Sequence, residues 1–302
     1  ENKYFRFYAA FPVVKDEWKE VIIPWSEFYQ RNFEGPIENR LTEIFAVWFT
    51  PPASVDAGYP LQRYPAQEFV IDDIRLVTSL PDPAPVPDGS SLDRTREKLA
   101  AKQPVRIVVT GASITWGLKT KNPEKDCYGS RLQAKLREKY GYEDIVVVTN
   151  AVGGFATFQV GCNLGRWVYD EEPVDLYIVG GDPSYNSYGD AVKHEDGLNQ
   201  ERWNLEHFFG TILRHGGFEV LYVVNCLNLE KDRCTGNDAL AEMCRETAKK
   251  FGIQYVDLVK DGQTHDVEWL WKNYYTTPND GAHFNEAGME RAADLILDTI
   301  AK

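Results

Sequence analysis

Five near-continuous apolar runs set the strongest limit on what this chain can fold into. They are Val105–Gly111, Asp144–Ala151, Val174–Gly181, Phe218–Asn225 and Ile253–Val259. Runs this short and this apolar suit strands buried on both faces, as in a parallel sheet. Helical patterns fall between them. Tyr128, Leu132, Leu136 and Tyr140 recur every four residues. Asn237-Asp238 offers a cap for a helix running to Lys250, and Asn285 caps a last helix with Met289, Ala292, Ala293, Ile296 and Ile300 on one face. Alternating strands and helices predict an α/β fold whose parallel sheet is covered by helices on both sides. In such sheets the site lies outside the carboxyl ends of the strands.

The front of the chain is patterned differently. Residues 1–79 read as a small all-β domain, with strand candidates Tyr4–Phe11, Glu17–Trp25, Glu43–Thr50 and Glu68–Val77. Pro51-Pro52 and Gly58-Tyr59-Pro60 separate them. Residues 80–92 carry four prolines and read as an extended spacer, followed by a short helix over Asp93–Lys102. The expected organisation is therefore a β domain at 1–79, a linker and short helix at 80–103, and an α/β domain at 104–302. A unit as small as residues 1–79 is expected to lean on its neighbour, because it buries little surface by itself.

Composition excludes several function classes. The 302 residues carry a net charge of −13, which argues against a nucleic-acid partner, since that needs clustered Lys and Arg. No apolar run approaches the roughly 18 residues of a membrane span. No phosphate loop, dinucleotide fingerprint or zinc motif occurs, so neither a cofactor nor a metal is expected. His194, His207, His215 and His265 show no ligand spacing and read as surface or helix residues. The five cysteines (Cys127, Cys162, Cys226, Cys234 and Cys244) read as free thiols, with a Cys226–Cys234 pairing left open. The chain opens directly into strand-like sequence, as a mature or trimmed chain would.

Two strand-end segments carry the chemistry. The first apolar run ends in Gly111-Ala112-Ser113-Ile114-Thr115-Trp116-Gly117, which places a serine at the sheet's carboxyl edge between glycines that permit a tight turn. Near the end of the chain stands Asn279-Asp280-Gly281-Ala282-His283-Phe284-Asn285. A serine becomes a nucleophile when a base takes its proton and an acceptor orients that base. Asp280, three residues before His283 in a turn opening the last helix, is spaced to be that acceptor.

These two segments resemble the first and last blocks of the SGNH, or GDSL-like, hydrolases. The likeness runs over roughly residues 104–302. It implies a flavodoxin-like three-layer α/β/α sandwich and ester cleavage through an acyl-serine, with Ser113 as nucleophile, His283 as general base and acid, and Asp280 as its orienter. It also implies an oxyanion hole made by the Ser113 backbone N–H and by a glycine after the second strand. Asn150-Ala151-Val152-Gly153-Gly154 matches that block, with Gly154 as the donor. Each such donor lowers the barrier by about 3–4 kcal/mol. Two positions depart from the family pattern. Ala112 stands where the family has Asp. The block that usually reads Gly-x-Asn-Asp is here Gly180-Gly181-Asp182-Pro183. Asp182 serves an oxyanion only when protonated, and Asn186, in a long loop at 182–199, is the alternative donor.

The front segment has its own resemblance. Trp18-Lys19-Glu20-Val21-Ile22-Ile23-Pro24-Trp25-Ser26-Glu27-Phe28, with Phe69-Val70-Ile71-Asp72-Asp73-Ile74, looks like the back half of a jelly-roll-like carbohydrate-binding β-sandwich. Together the two resemblances imply a secreted or periplasmic esterase that removes O-acetyl groups from an acetylated plant cell-wall polysaccharide of the xylan or pectin type. The alternatives are a non-catalytic glycan-binding protein with a degenerate hydrolase domain, and a lipid or small-ester hydrolase.

Overall fold

The computed structural model describes residues 7–9, 11, 17–25, 28–30, 70–71, 74–75, 85–89, 91–180, 195–225, 229–230, 233–234, 238–277 and 280–302. The five apolar runs form one parallel sheet. Its strands are β1 (Val105–Gly111), β2 (Ile145–Ala151), β3 (Leu176–Val179), β4 (Glu219–Val224) and β5 (Gln254–Asp257). They lie in the spatial order β2-β1-β3-β4-β5. This is the flavodoxin-like order, with its reversal between β1 and β3. β3 and β4 are buried along their whole length, as their apolar composition requires.

Strand β1 matches its apolar run, and the other four strands are shorter than theirs. Ile253–Val259, for example, stops pairing at Asp257, whose side chain accepts the Lys260 N–H and starts a helix at Leu258. Side-chain capping competes successfully with the ladder there.

Helix α1 (Asp93–Ala100) lies at the amino ends of the strands. The Glu219 carboxylate accepts the backbone N–H groups of Arg94 (2.9 Å) and Thr95 (2.8 Å), satisfying first-turn donors of that helix. Lys98 Nζ reaches Asp175 Oδ1 at 2.6 Å, and Leu92 and Leu99 are fully buried. The helix ends at Ala100, two residues before the expected Lys102, which has φ of 52°.

After β1 come a single helical turn, α2 (Ser113–Trp116), and α3 (Tyr128–Tyr140). α4 (Thr157–Cys162) follows β2, α5 (Glu195–His215) follows β3, and α6 (Asp238–Lys250) follows β4. The segment expected as a loop at 182–199 is thus helical from Glu195. The last helix, α7 (Glu286–Ile300), is capped as its sequence predicts, with Asn285 Oδ1 accepting the Gly288 N–H at 2.8 Å. Met289, Ala292, Ala293, Ile296 and Ile300 are fully buried. α3 and α7 pack on each other and are tied by Arg131 and Lys135 to Glu290 and by Lys135 to Asp294.

The front segment corrects one expectation. Among its described residues the strands are Phe7–Tyr8 and Tyr29–Gln30, paired antiparallel. Residues 17–24, expected as a strand, form none, and Trp18 is 73% exposed. Alternating apolar residues make a strand only when a partner supplies the ladder, and no described residue pairs with this stretch. The candidates Glu43–Thr50 and, for the most part, Glu68–Val77 lie outside the described residues. Phe28 touches the α/β unit, its carbonyl accepting the Trp203 indole N–H from α5 at 3.2 Å.

At the carboxyl end of β3, Gly180 N–H bonds to Thr110 O at 2.7 Å, and a Cβ on Gly180 would overlap Thr110 O, the Thr115 hydroxyl and the Tyr128 hydroxyl together. Gly180→Ala is therefore expected to lose about 1–3 kcal/mol of stability in urea unfolding, the range for overpacking. An unchanged midpoint and slope would contradict this packing.

Candidate active site

Ser113 is the first residue of α2, two positions beyond the last residue of β1. The turn is closed by Trp116 N–H to Ala112 O (2.9 Å) and Leu118 N–H to Ser113 O (2.9 Å), and it ends at Gly117 with φ of 86°, where a side chain is strained. Below it the buried Thr115 hydroxyl accepts the Tyr128 O–H at 2.8 Å. Ser113 itself is only 4% exposed. Ala112, which stands where the SGNH hydrolases that the sequence resembles have Asp, is buried at 1% and takes part in the core.

His283 arrives from the other end of the chain. Asp280 and His283 do not sit in a turn, as expected, but in a short strand, β7 (Asp280–Phe284), paired antiparallel with β6 (Tyr275–Thr277). Phe284 is fully buried and packs edge-on against Tyr274 and Tyr275, which anchors this hairpin. Asn285 adds a second anchor, donating from Nδ2 to Tyr275 O at 2.9 Å while capping α7.

The three side chains then meet in a line. His283 Nε2 lies 3.0 Å from Ser113 Oγ. His283 Nδ1 lies 2.9 and 3.0 Å from the two carboxylate oxygens of Asp280. Asp280 Oδ1 also accepts the backbone N–H groups of His283 (3.1 Å) and Ala282 (3.3 Å). An ionised carboxylate can only accept, so Nδ1 carries the ring proton and Nε2 is left to accept from Ser113. Burial pushes the Asp280 carboxyl up. The bonds from the His283 ring and backbone, the His283 charge and the Ala282 N–H outweigh it and hold the carboxyl below its ordinary range.

The glycine-rich segment after β2 reaches the same sheet edge, because Gly111 and Ala151 are paired neighbours in register. Val152 N–H bonds back to Gly111 O (3.2 Å) and Phe155 N–H closes a turn onto Val152 O (3.2 Å). Gly154, in that turn, has φ of 83° and open space where a Cβ would stand. Asp182 and Asn186 lie outside the described residues.

The remaining candidates divide. His207 on α5 is half-buried, and burial with the nearby Arg214 charge lowers its pKa to about 4. His215 stacks on Tyr169, with ring centroids 3.6 Å apart, and His265 stacks on Trp269 at 3.5 Å. His194 lies outside the described residues. Cys127, Cys162 and Cys244 form no disulfide, and burial pushes the Cys162 thiol up to about 12. The proposed Cys226–Cys234 pairing lies outside the described side chains. No cluster of three His, Cys, Asp or Glu among the described residues is arranged to hold a metal, and no described helix is long and apolar enough to cross a membrane.

Solved structures of the same architecture exist. A lipase/acylhydrolase from Enterococcus faecalis superposes with a TM-score of 0.51 at 19% identity, over 65% of this chain and 95% of its own. An acetyl xylan esterase gives 0.52 at 16% identity, over 64% and 98%. A two-domain esterase active on acetylated mannans, co-crystallised with mannopentaose, gives 0.52 at 17% identity, over 71% of this chain and 55% of its own. The chain has the SGNH-type α/β fold. No protein-family model matches its sequence, and no curated protein does.

Asp280 also predicts a pH dependence. Its folded-state pKa is depressed, so its contribution to stability is complete above the unfolded value and is lost as pH falls through the folded one. The stability gap between the natural protein and Asp280→Asn is expected to be flat above about pH 5 and to shrink as pH falls below about 4, the ordinary aspartate value. Chemical denaturation at each pH measures it. A gap that widens on acidification would refute the assignment.

Proposed function

We propose that the protein is a serine esterase acting through an acyl-serine intermediate. The observation that carries this reading is the continuous Ser113–His283–Asp280 relay at the carboxyl edge of the sheet. Ser113 Oγ attacks the ester carbonyl as its proton passes to His283 Nε2. His283 then gives that proton to the departing alcohol oxygen, leaving the acyl group on Ser113. A water molecule, deprotonated by the same nitrogen, releases the carboxylic acid and restores the serine. Asp280 keeps the ring proton on Nδ1 and stabilises the imidazolium formed in each half of the cycle.

The oxyanion hole in this reading is built from the backbone N–H groups of Ser113 and Gly154, with Asp182 in its neutral form as third donor. Gly154 supports the assignment by standing in a pinned turn with nothing over it. The substrate class we assign is an O-acetylated plant cell-wall polysaccharide of the xylan or pectin type, met outside the cell. Two structural neighbours described as acting on acetylated glycans support it, as do the aromatic residues of the front segment, among them the exposed Trp18.

Acetate release from acetylated xylan and pectin, set beside release from a synthetic acetyl ester, tests both levels. Ser113→Ala is expected to lower turnover at least about 10⁴-fold. A clean preparation that releases acetate from neither class of substrate between about pH 5 and 9 would overturn the esterase reading and leave glycan binding as the function. Asp182→Asn, which offers an N–H at every pH, is expected to keep or raise turnover and extend it to higher pH. Unchanged turnover with an unchanged pH profile would remove Asp182 from the hole and leave Asn186 or another group as the donor.

A further inference from the structure

Helix α5 turns Leu205, Phe208, Phe209 and Ile212 into the core, and in the same buried stripe, one turn before Leu205, stands Glu201 with no exposed surface. A carboxyl group at such a position is expensive unless its bonds are put to use. Glu201 Oε1 accepts a hydrogen bond from the Thr157 hydroxyl, while Oε2 has no hydrogen-bond partner. Burial pushes the Glu201 carboxyl well above its ordinary range, more than the bonds from Thr157 and Asn204 pull it down. The titratable group facing it from the packed helix α6 is the Cys244 thiol. Burial thus favours the neutral acid over the carboxylate at this position.

What it grips is the element that follows the glycine turn. Thr157 is the first residue of α4, three positions after Gly154. The segment between is fastened at its front by Val152 N–H on Gly111 O and at its back by Ala156 N–H on Gln159 Oε1. A small cavity lined by Gly111, Ala112, Phe155, Ala156, Thr157 and Leu205 separates the nucleophile's strand from this segment and α5. The Thr157–Glu201 bond ties the start of α4 to α5 beside this cavity.

We infer that Glu201 is a positioning residue: by holding Thr157 it fixes the Gly153–Gly154 turn at the distance from Ser113 at which its N–H groups can meet a substrate's carbonyl oxygen. The catalytic half of this rests on the esterase reading above; the structural half does not. Three variants of the full chain decide it: Glu201→Leu, which removes the acceptor; Glu201→Gln, which keeps it in neutral form; and the milder Thr157→Val, which removes the hydroxyl. Hydrogen exchange of the Phe155 and Ala156 amides and the split between kcat and KM are the readouts, with thermal unfolding as the control for folding. Glu201→Leu and Thr157→Val are expected to speed exchange at those two amides about tenfold or more and to lower kcat about tenfold to a hundredfold with KM within about twofold, the size expected for a misplaced donor. Glu201→Gln is expected to stay close to the natural protein in both. Unchanged exchange in Thr157→Val, or faster exchange with kcat intact, would overturn the proposal. If the natural protein cleaves no ester, the esterase reading falls, and the exchange rates still decide whether the clamp exists.

Discussion

Strand β1 is hydrogen-bonded along both edges, to β2 and to β3, and the site depends on that double pairing. A strand paired on both sides and buried on both faces cannot slide by one residue without turning every side chain to the wrong layer. The chain therefore leaves the sheet at Gly111 at a fixed height, level with Ala151 on one side and next to the end of β3 on the other. Both loops at this edge, the turn at Ser113 and the turn at Gly154, inherit their positions from this register.

His283 is placed by different means. Ser113 and His283 are separated by 170 residues, and the hairpin bearing His283 is not part of the main sheet. Its position comes from apolar packing of Phe284 between Tyr274 and Tyr275 and from Asn285, whose side chain joins the hairpin to the first turn of α7. Asp280 needs no distant support, because the strand that presents it also supplies two backbone N–H groups to its carboxylate. The relay is thus a local unit docked onto a register-locked one.

Much of this was legible in the residues. The apolar runs gave all five strands, and Asn285 and the stripe from Met289 to Ile300 gave the last helix, since each signal is local and period-specific. Ser113, Asp280 and His283 were legible because their residue types are needed together. Other features lay beyond a local reading. The alternation in residues 17–25 has the look of a strand, but a strand exists only with a neighbour, and sequence periodicity does not show neighbours. The hairpin under His283 was read as a turn because its β6 strand is short and irregular in register. Glu201 left a signal that went unread. An acid one turn before Leu205, two before Phe208 and three before Ile212 interrupts an apolar stripe, and such an interruption marks either a surface or a buried bond.

Helix α1 changes where the α/β unit begins as a physical object. Its proline-rich approach suggests a spacer, yet Leu92, Thr95 and Leu99 are sealed in the core, and Gly89 lies so close to the backbone of residues 251–253 that no side chain would fit. Excising the chain at residue 104 would uncover the amino ends of β3 and β4. It would also leave the Glu219 carboxylate, now closed by two helix amides, facing an empty groove. A portion that keeps Gly89 and helix α1 therefore retains packing at the amino ends of the strands that a portion cut at residue 104 would lose.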